Sequence, residues 1–344
     1  MFVRNCARAL VALLAAGWCF SAAAPSDAAE ILVSDRLTNS VFRYDESGTF
    51  LGTLLTDNVN LNQPSGLTVS PDGTELYVAS SQNNQVVRYD YDFAAGTATN
   101  PSVFASTGLA FPNSVLFSQD GSTVYVSNLG GTGVAQFNTD GTSAGAAING
   151  TIAGGSIFQY SGLAFAPGGE LLVGGFQDFP AGTAGAVARS DAGITTISDF
   201  IGPDALLNGV GNIVVDGNDL YATAGFAGRV NRYNATTGAV DGGFSITGLP
   251  FPASMILAPD GNSLLVGVLG VSDGAGSILR FGLDGTPLGT FATAQGNPAD
   301  GFAEATGMAV VVPEPSAFAL AAAALAALSL VARRRHGLAG PPHR

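Results

Sequence analysis

The feature that most constrains this chain is a segment that returns along it at a near-constant interval. Residues 64–80 read PSGLTVSPDGTELYVAS, and residues 112–128 read PNSVLFSQDGSTVYVSN. Weaker copies start at Ser161, Gly211 and Pro252, the last running on to Pro259-Asp260-Gly261. Aligned on Leu67, Val115, Leu163, Ile213, Met255 and Met308, the copies are spaced by 48, 48, 50, 42 and 53 residues. A period of that size means one supersecondary unit used repeatedly, each copy burying the next.

The unit has the grammar of consecutive β-strands. An apolar strand meets an Asp-Gly or Gly-Gly turn and returns as a second strand rich in aromatic and β-branched residues. Asp-Gly is a hairpin signal because glycine adopts positive φ without steric cost. A third and fourth strand follow, as residues 40–56 (SVFRYDESGTFLGTLLT) and 277–293 (SILRFGLDGTPLGTFAT) show when placed together. No helical periodicity is sustained between them. Four strands in 42 to 53 residues make a β-propeller blade. The chain opens at Glu30–Asp35 on a second strand that lacks its first, and residues 307–312 supply a first strand that lacks successors. Pairing the two closes the ring without an open edge. The expected fold is all-β: a six-bladed β-propeller over 30–312, closed by its N- and C-terminal strands.

The repeats resemble the NHL, YVTN and lactonase group of propellers, SPDGTELYVAS and SQDGSTVYVSN most clearly. That resemblance implies ligands near the central channel. It also implies, for gluconolactonase-type enzymes, a divalent metal held there by Asn, Asp and Glu. Asn113, in FPNSV, matches the Pro-Asn position of such a ligand, and the equivalent positions hold Ser65, Ser161, Gly211, Ala253 and Thr306. One amide among small residues is a poor set for a hard cation, which needs several oxygens. Asn113 is therefore the single candidate channel ligand, with no metal and no cofactor expected, although a divalent cation stays open.

Composition narrows the chemistry further. The stretch 30–312 contains no Cys, His, Trp or Lys, so a Ser-His-Asp triad, a histidine-ligated zinc or a Schiff-base lysine cannot be built from it. It holds 24 acidic residues against 7 arginines, a balance that repels nucleic acid. Five of the seven arginines, Arg43, Arg88, Arg189, Arg232 and Arg280, share one register of the third strand. They are read as structural, each pairing a carboxylate of the neighbouring blade, rather than as a ring for an anionic polymer. The turns at Asp140-Gly141, Asp216-Gly217 and Asp284-Gly285 lack the dense carboxylates of a calcium loop and are read as turns. Asp300 and Glu304 are the best remaining carboxylate pair.

Both ends read as targeting segments. Residues 1–29 run from Arg4 and Arg8 through an apolar stretch to small residues, the order of a signal peptide. At the other end Pro313-Glu314-Pro315 precedes 16 uncharged residues, 317–332, and then Arg333-Arg334-Arg335. This tail, 313–344, resembles a PEP-CTERM sorting signal, which implies an exosortase as processing partner. A single transmembrane helix over 317–332 and cytoplasmic arginines are expected, with the propeller outside. The tail thus predicts transient anchoring in the inner membrane and final residence at the cell surface or in the extracellular matrix. The functional expectation is an exported, non-catalytic binding or scaffold protein, with extracellular polysaccharide or surface proteins as partners. The alternatives are a metal-dependent lactonase-like hydrolase and a calcium-stabilised adhesin.

Overall fold

The computed structural model describes residues 28–131, 133–152, 155–156, 159–176, 185–270, 276–293 and 304–313. Within the compact unit Ala29–Glu314 the strands form six sheets. Blade 1 holds β1 (Glu30–Asp35), β2 (Ser40–Asp45) and β3 (Phe50–Thr56). Blade 2 holds β4 (Pro64–Val69), β5 (Glu75–Ser80), β6 (Gln85–Asp92) and β7 (Thr97–Ala105). Blade 3 holds β8 (Pro112–Phe117), β9 (Thr123–Asn128) and β10 (Val134–Asn138). Two short strands, β11 (Gly150–Ile152) and β12 (Gly155–Ser156), precede blade 4, which holds β13 (Gln159–Phe165), β14 (Leu171–Phe176), β15 (Gly185–Ser190) and β16 (Ile197–Asp204). Blade 5 holds β17 (Val210–Asp216), β18 (Asp219–Ala224), β19 (Arg229–Asn234) and β20 (Ile246–Thr247). Blade 6 holds β21 (Pro252–Leu257), β22 (Ser263–Val268), β23 (Ser277–Gly282) and β24 (Pro287–Thr293), and β25 (Ala305–Val311) returns to blade 1.

The expected closure is present. β25 lies antiparallel to β1, with Ile31 opposite Val310, Val33 opposite Met308 and Ser34 opposite Gly307, and the first sheet runs β25-β1-β2-β3. Both partners thereby satisfy backbone groups that would otherwise form exposed edges.

There is no single central core. Six apolar clusters sit in the six seams between neighbouring blades, one joining Ile31 and Phe42 to Leu265 and Ile278 across the closure, another joining Tyr77 and Phe104 to Val126 and Phe137. In that second seam the Tyr77 ring stands edge-on to Phe104 at 4.9 Å and Phe117 at 5.1 Å, a favoured aromatic geometry. Each blade is therefore covered on both faces. The second strands show it most clearly, β1 and β22 being buried at every position. Coverage on both faces removes the polar alternation of a half-solvated strand and leaves near-continuous apolar runs such as LLVGV.

Two findings depart from the expected four-strand unit. Blade 3 has only β8, β9 and β10 as regular strands, and the chain beyond β10 touches it through isolated bridges, Phe137 with Ser143 and Val134 with Ile148. The chain then crosses to blade 4, where β11 pairs parallel with β16, covering that outer edge.

As a correction, the expected transmembrane helix finds no support in the structure, and its residues 317–332 lie outside the described residues. Among the described residues the helical segment is a 3-10 turn at Ala205–Leu207, and none is long and apolar enough to cross a membrane. Sixteen residues in α-helix rise about 24 Å, short of a hydrocarbon core of about 30 Å. The membrane-anchored intermediate is likewise not supported. Residues 1–27 and 314–344, which include Glu314, Pro315, the expected helix 317–332 and Arg333–Arg335, lie outside the described residues, whereas Pro313 is described, directly after the exposed Val312.

Candidate functional site

All six positions aligned with Asn113 open on one cavity at the start of the first strands. Thr306, Ser65, Asn113, Ser161, Gly211 and Ala253, one from each blade, line a space of about 610 Å³. The hydroxyls among them are occupied in holding the ring together. Thr306 Oγ1 donates to the Pro64 carbonyl at 2.7 Å, Ser65 Oγ to that of Pro112 at 3.0 Å, and Ser161 Oγ to that of Val210. Each reaches the first strand of the next blade. Second-strand serines repeat the pattern, with Ser34 Oγ donating to the Ser65 carbonyl at 2.5 Å and Ser127 Oγ to that of Ser161. Inner strands this close need small residues, and a Cβ built on Gly307 falls 2.2 Å from the Ser65 carbonyl oxygen.

The amides are different. Asn113 is half-buried and lines the cavity, as does Gln159, and neither side chain makes a hydrogen bond to a described residue. Gln63, Gln82 and Ser81 add to the polar lining, the two glutamines joined by a 3.4 Å bond from Gln82 Nε2 to Gln63 Oε1. The apolar lining is Phe111, Leu129, Phe226, Phe251 and Leu269. Phe111 and Phe226 are 44% and 39% exposed, and the rings of Phe226 and Phe251 meet edge to face at 5.1 Å.

Three lining residues hold unusual backbone. Gln63, Phe111 and Phe251 have φ of 53°, 50° and 38°, a region that bulky side chains rarely occupy. Each precedes a proline, Pro64, Pro112 and Pro252. Each carbonyl accepts from an N–H just past the blade's second strand: Ser81 to Gln63 at 3.3 Å, Leu129 to Phe111 at 3.0 Å, Leu269 to Phe251 at 3.1 Å. Blade 5 puts Gly209 at the same place, φ 74°, accepting from Gly225 at 2.8 Å. A conformation that glycine adopts freely is thus imposed on two phenylalanines and a glutamine, which line the mouth. Sequence reasoning missed these residues, and the signal was the X-Pro step at each blade entrance.

Arg36 is the one charged side chain among the lining residues. Its Nε donates to the carboxylate of Glu304, which is buried, as is the neighbouring Asp35. Asp35 Oδ1 accepts from the Leu37 N–H at 2.9 Å and the Glu304 N–H at 3.3 Å. The arginine is therefore already neutralised, and its two terminal nitrogens make no hydrogen bond to a described residue. Asp300, proposed as partner to Glu304, lies outside the described residues.

A divalent cation does not fit this donor set. The lining has no carboxylate, its hydroxyls are spent between blades, and hard cations take six to eight oxygens at short range. Among the described residues no group of three or more His, Cys, Asp or Glu comes together. The turn carboxylates are consumed locally as well. Asp120 Oδ1 accepts from Ser118 Oγ at 2.5 Å, the Ser122 N–H at 3.1 Å and Ser122 Oγ at 2.8 Å, which pull its pKa down to about 2.

The third-strand arginines lie away from the cavity, on β2, β6, β15, β19 and β23. Their carboxylate partners belong to their own blade, not to the neighbour as expected. Arg43 pairs with Glu30 at 2.5 Å, Arg88 with Glu75 at 3.3 Å, Arg280 with Asp260 at 2.9 Å, and Arg232 with Asp241 and Asp219. Four of the five reach the neighbour through a main-chain carbonyl instead. Arg43 contacts the carbonyl of Gly96 at 3.5 Å, Arg189 that of Thr236 at 3.0 Å, Arg232 that of Leu283 at 3.0 Å and Arg280 that of Glu46 at 3.5 Å. Arg189 pairs with no carboxylate among the described residues and lies over the Phe200 ring at 4.5 Å. The sixth slot holds Gln136, opposite Tyr125 as Arg88 is opposite Tyr77. It bonds its own blade, to the Ala146 carbonyl at 2.8 Å. Blade 3 thus lacks the arginine clamp, and the crossing of β11 onto β16 joins blades 3 and 4.

Comparison with known proteins agrees with this architecture. The family described as SMP-30/Gluconolactonase/LRE-like region matches residues 24–144. No curated protein matches. A solved nidogen/laminin complex superimposes with a TM-score of 0.61 at 13% identity, covering 82% of this chain and 98% of the other. A putative 6-phosphogluconolactonase from Bacteroides uniformis gives 0.52 at 19% identity, covering 78% and 83%. Another from Bacteroides fragilis gives 0.51 at 17%, covering 79% and 83%. At these identities the likeness is one of fold. None of it supports a PEP-CTERM tail or an exosortase partner.

Proposed function

On the six-bladed fold shared with the gluconolactonase-like propellers, we propose that this domain is a binding module whose channel mouth takes a small, uncharged polar ligand. The observation that carries this reading is the lining itself. Two unspent amides, Asn113 and Gln159, face a cavity of about 610 Å³ beside exposed phenylalanines, with its single charge already paired. Such a site is concave and largely apolar with a few convergent polar groups, the usual make-up of a ligand pocket. The carboxylates beside Arg36, those of Glu304 and Asp35, are buried and bonded. First strands begin at the mouth, so the turns after them and the third-to-fourth hairpins fall at the far end, with Asp72, Asp120, Asp140 and Asp284.

Calorimetric titration of the full chain with neutral probes (glucose, N-acetylglucosamine, myo-inositol) tests this. Phe111→Ala and Asn113→Ala should each weaken the best probe by about tenfold, the loss of a ring contact or a hydrogen bond. Absence of binding by every probe, or binding unchanged in both variants, would refute it.

Lactone hydrolysis is the second reading, favoured by the gluconolactonase-region match over 24–144, which contains Asn113. Against it stands a lining without a general base, since it has no His, Asp or Glu. Turnover of glucono-1,5-lactone that vanishes with chelator and in Asn113→Ala would establish the hydrolase and displace the binding-only reading.

A further inference from the structure

We propose that the ligand at the mouth is a neutral oligosaccharide whose chain runs out of the cavity across an amide-lined shoulder formed by blades 1 and 2. This rests on the mouth being a binding site, and adds a ligand class and a direction. The shoulder consists of two neighbouring loops, residues 58–63 reading NVNLNQ and residues 81–85 reading SQNNQ. Eight of those eleven side chains are amides.

Hydrogen bonds make the shoulder continuous with the cavity. Gln82 and Gln63 line the cavity and bond each other. The Gln63 N–H donates to Asn39 Oδ1 at 3.0 Å, and Asn39 Nδ2 to Asn58 Oδ1 at 3.1 Å. Asn83 Nδ2 and Gln85 Nε2 both donate to the Asn60 carbonyl, at 3.0 and 2.9 Å, which ties the second loop to the first. The Phe111 N–H donates to Asn84 Oδ1 at 2.8 Å, fastening the exposed ring to the same loop.

What remains outward is unspent. The Asn62 side chain, Asn83 Oδ1, Asn84 Nδ2 and Gln85 Oε1 make no hydrogen bond to a described residue, and Asn62, Asn83 and Asn84 are exposed. Each amide offers a donor and an acceptor, matching a hydroxyl, which is also both. Charge gives no competing attraction. The carboxylate of Asp57 is enclosed by the Val59 and Asn60 N–H groups at 3.0 and 2.9 Å and by the Tyr89 hydroxyl at 2.9 Å. Apolar faces stand at both ends of the path, Phe111 at the mouth and Val59, 87% exposed, on the outer loop. Sugar rings present C–H faces that cover such surfaces, while an ionic polymer finds no counter-charge.

The test is calorimetric titration of the full chain with malto-, cello-, manno-, xylo- and N-acetylchito-oligosaccharides of one to six units. At least one series should gain about tenfold or more in affinity between one and four units, as added hydrogen bonds accumulate. Asn62→Ala/Asn83→Ala, with an unchanged melting temperature, should remove that gain and leave the single-unit affinity as in the parent. Phe111→Ala should weaken every length. Affinity independent of length in all series would overturn the proposal while leaving the mouth as a small-ligand site; absence of all binding would overturn both. Oligogalacturonates binding as tightly as the neutral chains, or a length gain kept in the double variant, would also overturn it, as would capture of an uncharged peptide in place of any glycan.

Discussion

Substituting Gly307 with alanine probes the closure where its geometry is tightest. Gly307 is buried on β25, opposite Ser34 of β1. A Cβ there falls 2.2 Å from the Ser65 carbonyl oxygen, 2.9 Å from its carbon and 2.8 Å from Ser34 Oγ. The nearest atoms are backbone of the adjacent blade, so no rotamer change relieves the overlap. Ordinary contact needs a displacement of about 1 Å. That displacement disturbs the bonds crossing the same seam, from Ser34 Oγ to the Ser65 carbonyl and from Thr306 Oγ1 to the Pro64 carbonyl. Overpacking costs about 1–3 kcal/mol, and one weakened buried hydrogen bond adds about 1 kcal/mol. A destabilisation of about 2–4 kcal/mol follows, or a fall in Tm of roughly 3–7 °C for a domain of this size. Gly202→Ala is the control, since a Cβ there meets nothing within 4 Å and its φ is not positive. Guanidinium denaturation of both variants beside the parent supplies the measurement. If Gly307→Ala lies within about 0.5 kcal/mol of Gly202→Ala, the ring does not depend on close approach of its inner strands, and the reasoning fails.

Further outcomes follow from the same structure. Arg43→Ala leaves the Glu30 carboxylate, 10% exposed, without its ion pair; urea unfolding should show a loss of about 1–3 kcal/mol, and Glu30→Gln in the same chain should recover part of it. The hydrogen bond to Glu30 raises the Arg43 pKa above its ordinary value, so Arg43 stays charged at any working pH. Asp120 and Asp191 are held at about 2, Asp120 chiefly by Ser118 Oγ and Asp191 chiefly by the Thr196 N–H. Because a depressed carboxylate stabilises the fold above its unfolded pKa of 3.8 and loses that as pH falls through the folded value, melting temperature should decline between about pH 4 and pH 2. Asp120→Asn/Asp191→Asn should flatten that decline, and an unchanged profile would contradict the assignment. Phe111→Gly releases a left-handed φ of 50°, so its stability should match the parent or exceed it by up to about 1 kcal/mol while ligand affinity falls; a clear loss of stability would show that the ring, not the site, needs the phenylalanine.

The propeller was legible because its evidence is periodic. Leu67, Val115 and their counterparts recur at blade spacing, and the unmatched strands at Glu30–Asp35 and 307–312 named their own partner. The entrance positions were legible for the same reason, since residues in one register of a ring share one end of its channel. The arginine slot was visible, but not its partners. Which blade supplies a carboxylate depends on how far a guanidinium reaches across the seam, and spacing along the chain does not encode that distance. The membrane helix drew no support among the described residues, and an apolar stretch of 16 residues states a composition but not a span.

Alone, the amino-acid order determined the blade count, the closing strand, the lack of histidine and cysteine between residues 30 and 312, and the acidic balance of that stretch. These depend on period and composition, which are local or additive. Only the tertiary structure decided that the first-strand hydroxyls are consumed between blades while Asn113 and Gln159 are left unspent. It alone set Phe111 and Phe251 in left-handed backbone at the mouth and brought the loops at 58–63 and 81–85 into one shoulder. The physical reason is that a polar group's availability depends on which groups of other blades lie within about 3 Å of it. Ring closure sets those distances, and residues remote in sequence meet there for the first time.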